Sequence, residues 1–246
     1  MGQKALEYTR AVQNILAEVV DQEMEHIDQA AAIIAKSIMQ DGILYTFGTG
    51  HSHIIAEDVI YRAGGLVPVD AMLEACLTGH EKVRQSEYME RVEGIAKVVI
   101  NHYNPSNRDA MVIISNSGRN AAPIEMAMHA HERGMPLIAI TSLKHSQGTT
   151  SRHSSGKKLY ELVDVVIDNH CIKGDAMMTA AGLERPFGAA SGVTGMFILH
   201  TVIVQAIQDM LDAGFTPPVF MSGNLDGSDE INNALIARYK GRVKIW

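Results

Sequence analysis

Gly48, Thr49, Gly50, His51 and Ser52 follow directly on the apolar run from Ile43 to Phe47 and open a stretch with helical spacing. Two glycines and two hydroxyls at a strand-to-helix joint make either a tight turn or a seat for an anion on exposed amides. Glycine lets backbone approach a ligand closely. The same chemistry recurs. Ser115, Asn116, Ser117, Gly118, Arg119 and Asn120 follow the apolar run that ends at Ile114. Thr141 and Ser142 follow the run that ends at Ile140. One such turn is ordinary punctuation, with serine as a helix cap. Three hydroxyl-rich strand ends in one domain read as a phosphate site. GTGHS lacks the third glycine of the dinucleotide fingerprint and the Lys-Ser/Thr of a P-loop.

The elements that must position these residues alternate. ILYTF (43–47), LVPVD (66–70), DAMVIISN (109–116), MPLIAITS (135–142) and LVDVVIDN (162–169) read as strands, and Pro68 marks the second as an edge or a strand end. Helical patterns occupy 52–63, 121–133 and 191–211. This alternation predicts an α/β protein with a doubly wound, five-stranded parallel sheet, Rossmann-like in build. In such sheets ligands lie at the carboxyl ends of the strands, where the hydroxyl-rich turns fall. Before the sheet, apolar residues at Tyr8, Val12, Ile15, Val19, Met24, Ile27, Ala31, Ile34 and Ile38 predict one long amphipathic helix or two in series. The expected division is 1–41 N-terminal helical, 42–214 ligand-binding and 215–246 a C-terminal tail. Residues 71–108 form a polar, helical insertion. Residues 143–158, LKHSQGTTSRHSSGKK, form a long loop expected to be functional or mobile.

Composition narrows the partners. Of 246 residues, 46% are hydrophobic and 20% charged, as in soluble globular proteins, and the net charge of −7 argues against a nucleic-acid surface. Two cysteines give no disulfide framework, which with a charged N-terminus predicts a cytoplasmic protein. Gly2 lacks the Ser/Thr of a myristoylation signal. The most apolar stretch, 192–211, contains His200, Gln205 and Gln208 and reads as a buried helix rather than a membrane span. The long N-terminal apolar stripe predicts a homo-oligomer, a dimer or tetramer.

The set FGTGHS, ISNSGRN and AITS, in an alternating frame from about Gly42 to Leu211, resembles the SIS (sugar isomerase) domain. The resemblance implies a five-stranded parallel sheet between helices and a sugar phosphate as ligand. By position, Ser52, Ser115, Ser117 and Thr141 or Ser142 would hold the phosphate, with Gly48, Gly50, His51, Asn116 and Gly118 around it. The tail from Pro217 to Arg242 resembles that of a bacterial SIS subfamily, and the likeness does not extend to a reaction.

Aldose–ketose isomerisation moves a proton between neighbouring carbons and needs a carboxylate and an acid–base partner, commonly histidine. Glu57, one helical turn after His53, is the expected base. His200 or His80 is the expected partner at the ring oxygen, and a satisfied core histidine is the competing reading of His200. Sedoheptulose 7-phosphate isomerases are similar in placing a Glu on the first helix and a His on the last, but their Glu lies further from the loop serine. Lys144 or Lys157 would add positive charge as residues 141–155 close over the sugar. No cofactor and no metal are expected, although His53, Glu57 and His200 could form a zinc set. The rival functions are an N-acetylmuramic acid 6-phosphate etherase-like lyase and a non-catalytic phosphosugar sensor.

Overall fold

In the computed structural model, which describes residues 2–246, five parallel strands run in the order β2-β1-β3-β4-β5. Met1 lies outside the described residues. The strands are β1 (Leu44–Gly48), β2 (Val69–Ala71), β3 (Ala110–Ile114), β4 (Leu137–Thr141) and β5 (Val165–Asp168). Side chains alternate between the two faces, as a pleated strand requires. Leu44, Val112, Ile114, Ile138, Ile140 and Ile167 enter one core, with α1 (Gln3–Met39), α2 (Ser52–Glu57) and α8 (Ser191–Asp212). Tyr45, Phe47, Met111, Ile113, Leu137 and Ala139 enter the other, beneath α5 (Ile95–Tyr103), α6 (Ala121–His131) and α9 (Ser228–Tyr239). A sheet covered on both faces explains the near-continuous apolar strands.

The N-terminal pattern forms one helix of 37 residues. It shares the core of the sheet through Val19, Ile27, Ala31, Ile34 and Ile38. Its buried Glu23 accepts the Asp168 amide at 3.1 Å and lies 3.1 Å from His170 Nε2, which pins the helix to the carboxyl end of β5. α8, the one helix among the described residues long and apolar enough to span a bilayer, packs Ile198, Leu199, Val202 and Ile203 into that same core.

Two expected boundaries shift. The second helix ends at Glu57 rather than continuing to residue 63, and Leu66 sits outside β2 in a bridge to Val219. The polar insertion folds as α3 (Ala75–Thr78), α4 (Val83–Met89) and α5. Residues 176–189 form an antiparallel hairpin of β6 (Ala176–Ala180) and β7 (Leu183–Ala189), whose largely exposed side chains carry no burial pattern.

The C-terminal tail docks on the edge of the sheet. The Lys244 amide donates to Asp70 Oδ2 at 2.6 Å, while the other oxygen of this buried residue has no partner. Burial pushes the Asp70 carboxyl up to about 6 against the opposing pull of the Lys244 amide. The folded state therefore holds the proton more tightly than the unfolded chain does. Stability is greatest below the unfolded pKa of 3.8 and falls as pH rises through about 6. Asp70→Asn removes this loss. Its stability relative to the wild type is expected to rise by about 1–3 kcal/mol between about pH 4 and pH 7, measured by urea unfolding at each pH.

Candidate functional site

Strand order reverses at β1: β2 lies on one side of it and β3 on the other. The turns after β1 and β3 therefore diverge to opposite faces of the sheet and leave a crevice between them. A cleft of about 140 Å³ opens there, lined by His51, Ser52, Ile55, Asn116, Asn169 and Asp175, with Ser191 and Gly192 of the first turn of α8. Residues of loops one and two, Ser52 and Asn116, thus face one space.

The first loop is held in shape by its glycines. A Cβ on Gly48 would lie 2.5 Å from the Ser52 carbonyl oxygen, and Gly50 has a left-handed φ of 52°. The Thr49 hydroxyl donates to Glu90 Oε2 at 2.6 Å, so it is committed to the frame. In the second loop Gly118, at φ 55°, donates its amide to Ser115 Oγ at 3.2 Å. Asn120 donates to the other oxygen of Glu90 at 2.7 Å and accepts from Arg152 at 2.9 Å. Thr141 donates to the Ser115 carbonyl at 2.7 Å, and Ser142 donates to the Cys171 carbonyl at 2.6 Å. Both are fully buried. Their hydroxyls fasten loops together, and Ser115 is used likewise. Ser52 and Ser117 stay half-buried at the carboxyl ends of the strands. Ser52 lines the cleft, whereas Ser117, one residue beyond Asn116, is outside its lining.

The far wall of the cleft is polar and partly anionic. Asn169 donates to Asn116 at 2.9 Å. Asp175 accepts the Ser191 amide at 2.8 Å and its hydroxyl at 2.7 Å, capping α8. A carboxylate there repels a dianion and suits sugar hydroxyls. Positive charge gathers instead behind the second loop, around Arg119, Arg152 and Lys158. Burial, with Arg119 next, holds Arg152 and Lys158 below their ordinary values. Lys158, rather than the exposed Lys144 or Lys157, is the buried cation, reaching the Ser146 carbonyl and Thr149 Oγ1. The segment 143–158 begins with a short helix, α7 (Leu143–Gln147), and is tied down by the Arg152 amide on the Arg119 carbonyl.

The expected acid–base residues lie apart from this cleft. Glu57 is exposed at the end of α2, 3.9 Å from His53 Nε2. His80 faces a second hollow, of about 220 Å³, lined also by Gly50, His51 and His53. Its Nδ1 lies 2.6 Å from Thr78 Oγ1. His51 lines both hollows and divides them. His200 Nε2 lies 2.7 Å from Asp58 Oδ2, and Arg62 donates to Oδ1 of the same carboxylate at 2.6 Å. Arg62 and His200 border a third, separate cavity. His53, Glu57 and His200 therefore do not converge as metal ligands. Glu90, the carboxylate that joins both loops, was missed by sequence reasoning because nothing marks it within a polar helical stretch. Another hollow, about 460 Å³, lies at the opposite, amino end of the strands beside Lys36, Arg108 and His131.

The family model described as the SIS domain matches residues 7–142. A UPF0309 protein of Geobacillus kaustophilus is 42% identical over 239 residues, covering 97% of this chain and 95% of its own length. One from Listeria innocua is 42% identical over 231 residues, covering 94% of each. Among solved structures, a phosphoheptose isomerase from Francisella tularensis matches with a TM-score of 0.56 at 18% identity, over 83% of this chain and 97% of that one. The Vibrio vulnificus NanR protein complexed with ManNAc-6P matches with a TM-score of 0.56 at 14% identity, over 96% of this chain and 70% of that one. At these identities the two structures show a shared fold.

Two measurements check the geometry. Burial pushes the Cys171 thiol, behind the cleft wall, up to about 12, so a thiol reagent at neutral pH should label Cys76 alone until the chain is unfolded. Gly48→Ala should cost about 1–3 kcal/mol in equilibrium denaturation, because the added methyl meets backbone that cannot yield cheaply.

Proposed function

This chain belongs to the SIS-domain family, within its UPF0309 branch, and from that premise we propose that it binds a phosphosugar at the β1–β3 crevice. The observation that carries the reading is the convergence of Ser52 and Asn116 on one cleft at the point where strand order reverses. The phosphate sits at the loop end, against Gly50, His51, Ser52 and the Ser117 amide, with the Arg119 and Arg152 charges behind it. Ser115, Thr141 and Ser142 keep the second loop in place. The sugar hydroxyls meet Asn116, Asn169 and Asp175.

Isomerisation of a sugar phosphate or amino-sugar phosphate is the reaction proposed for this site. Neither Glu57 nor His80 lines the cleft, so the roles proposed for them, Glu57 moving the proton and His80 serving the ring oxygen from the hollow beside His51, need the sugar to extend beyond it. Glu57 is exposed in one chain, and a proton-abstracting carboxylate works best when desolvated. A dimer or tetramer supplies the cover. Val20 and Met24 on α1 and Val193 and Val204 on α8 are apolar and exposed, which suits a second copy.

One observation favours a second reading, a non-catalytic sensor: His200 is engaged by Asp58 in a separate cavity, away from the cleft. Binding and turnover distinguish the two. In a thermal-shift and calorimetric screen of sugar phosphates, a true ligand raises the Tm of the wild type. Ser52→Ala is expected to bind it about 10–100-fold more weakly, the loss of a hydrogen bond to a charged group. Glu57→Gln is expected to keep the affinity and lose about 10²–10⁴-fold in turnover. Binding with no turnover by the wild type supports the sensor. Unchanged affinity in Ser52→Ala overturns the site.

A further inference from the structure

Away from the cleft, three segments remote in sequence bring ligand atoms together. Glu93 lies in the turn between α4 and α5, Glu125 on α6 and His153 in the 143–158 segment. One oxygen or nitrogen from each lies within 4.8 Å of the others. His153 Nε2 is 3.6 Å from Glu125 Oε1 and 3.9 Å from Glu93 Oε2. Those separations are too long for hydrogen bonds. They are close to the spacing of two ligands that share a cation at bonds of about 2.0–2.2 Å. The histidine side chain is only 9% exposed, yet Nε2 is left without a hydrogen-bond partner and aimed between two carboxylates.

The supports around the three groups are those that a ligand set needs. Both oxygens of Glu125 accept the Gly94 amide, at 2.7 and 2.8 Å. Glu93 accepts the Ser154 amide at 2.6 Å and its hydroxyl at 2.8 Å. The Ser155 amide donates to His153 Nδ1 at 3.2 Å and the Ser155 hydroxyl lies 2.7 Å from the same nitrogen, so the neutral ring carries its proton on Nε2, between the carboxylates. Cation binding at Nε2 moves that proton to Nδ1, which then donates to the Ser155 hydroxyl and gives up the amide, the arrangement usual for metal-bound histidine. Among the described residues the ion-pair contacts of Glu93 and Glu125 are with His153 alone. Two carboxylates, one of them buried, thus face each other with a single imidazole between them.

We propose that Glu93, Glu125 and His153 form a divalent-cation site of the His–Glu–Glu type, suited to Zn²⁺. One imidazole and two carboxylates leave a fourth position for water, a tetrahedral set. Its role is a clamp. The site fastens the 143–158 segment to α6 and to the polar insertion, and that segment carries Arg152, which holds Asn120 of the second loop. The site is independent of the phosphosugar reading, since none of its residues lines the cleft.

The test uses full-length chain stripped with EDTA and dialysed. Zn²⁺ titrated by calorimetry should bind with one equivalent per chain. It should raise Tm by about 5–10 °C at a hundredfold excess over Kd, with Mg²⁺ giving no shift. Co²⁺ in its place should show tetrahedral visible bands without a thiolate charge-transfer band. His153→Ala and Glu93→Gln should each weaken Zn²⁺ by at least about tenfold, and Cys76→Ser should bind as the wild type does. Glu93 is solvent-exposed, so its variant keeps the test open if His153→Ala fails to fold. Absence of Zn²⁺ binding, or binding undiminished in Glu93→Gln, overturns the proposal and leaves the cluster a proton-mediated latch.

Discussion

The carboxylate of Glu90 is the constraint on which the candidate site rests. One oxygen takes the Thr49 hydroxyl at the end of β1, and the other takes the Asn120 amide beyond β3. The two loops leave the sheet toward opposite faces, so backbone pairing alone does not hold them together. A charge-assisted hydrogen bond on each side does. The Glu90 carbonyl also accepts the Ala122 amide, which fixes the start of α6 to the same residue. Losing one partner would leave a partly buried carboxylate short of donors, a larger penalty than the bond itself is worth.

Around that link, hydroxyls are divided between structure and ligand. Thr49, Ser115, Thr141 and Ser142 spend their hydrogen bonds on the frame. Their rigidity is what lets the exposed amides and Ser52 present a fixed geometry, and preorganised donors bind anions without reorganising at the moment of binding. Asp175 completes the division by charge. It caps α8 and makes that end of the cleft unfavourable for phosphate, so the site has a phosphate end and a hydroxyl end.

The frame was legible in the sequence because burial on both faces writes apolar runs such as AMVII and LIAIT directly into it. The hydroxyl-rich turns were legible for the same reason: they interrupt those runs. What each hydroxyl does was not, since Ser52 and Ser115 differ only in what the fold places opposite them. Glu90 gave no signal, being one acidic residue in the polar stretch QSEYMERVEG. Nor did Lys158, whose burial follows from α7 folding back over it rather than from its neighbours in sequence. The β6–β7 hairpin was hidden because its side chains are largely exposed and Pro186 sits inside a strand. His200, on an apolar helix, reads as a core or catalytic residue until Asp58 is seen beside it.

The account stands or falls on where a phosphate group sits. A crystal structure of the chain soaked with a ketohexose 6-phosphate locates it directly. The account predicts phosphorus between the first and second loops, with the Ser52 hydroxyl and the Ser117 amide on its oxygens. Phosphorus found instead at the amino end of the strands, beside Lys36, Arg108 and His131, would contradict it.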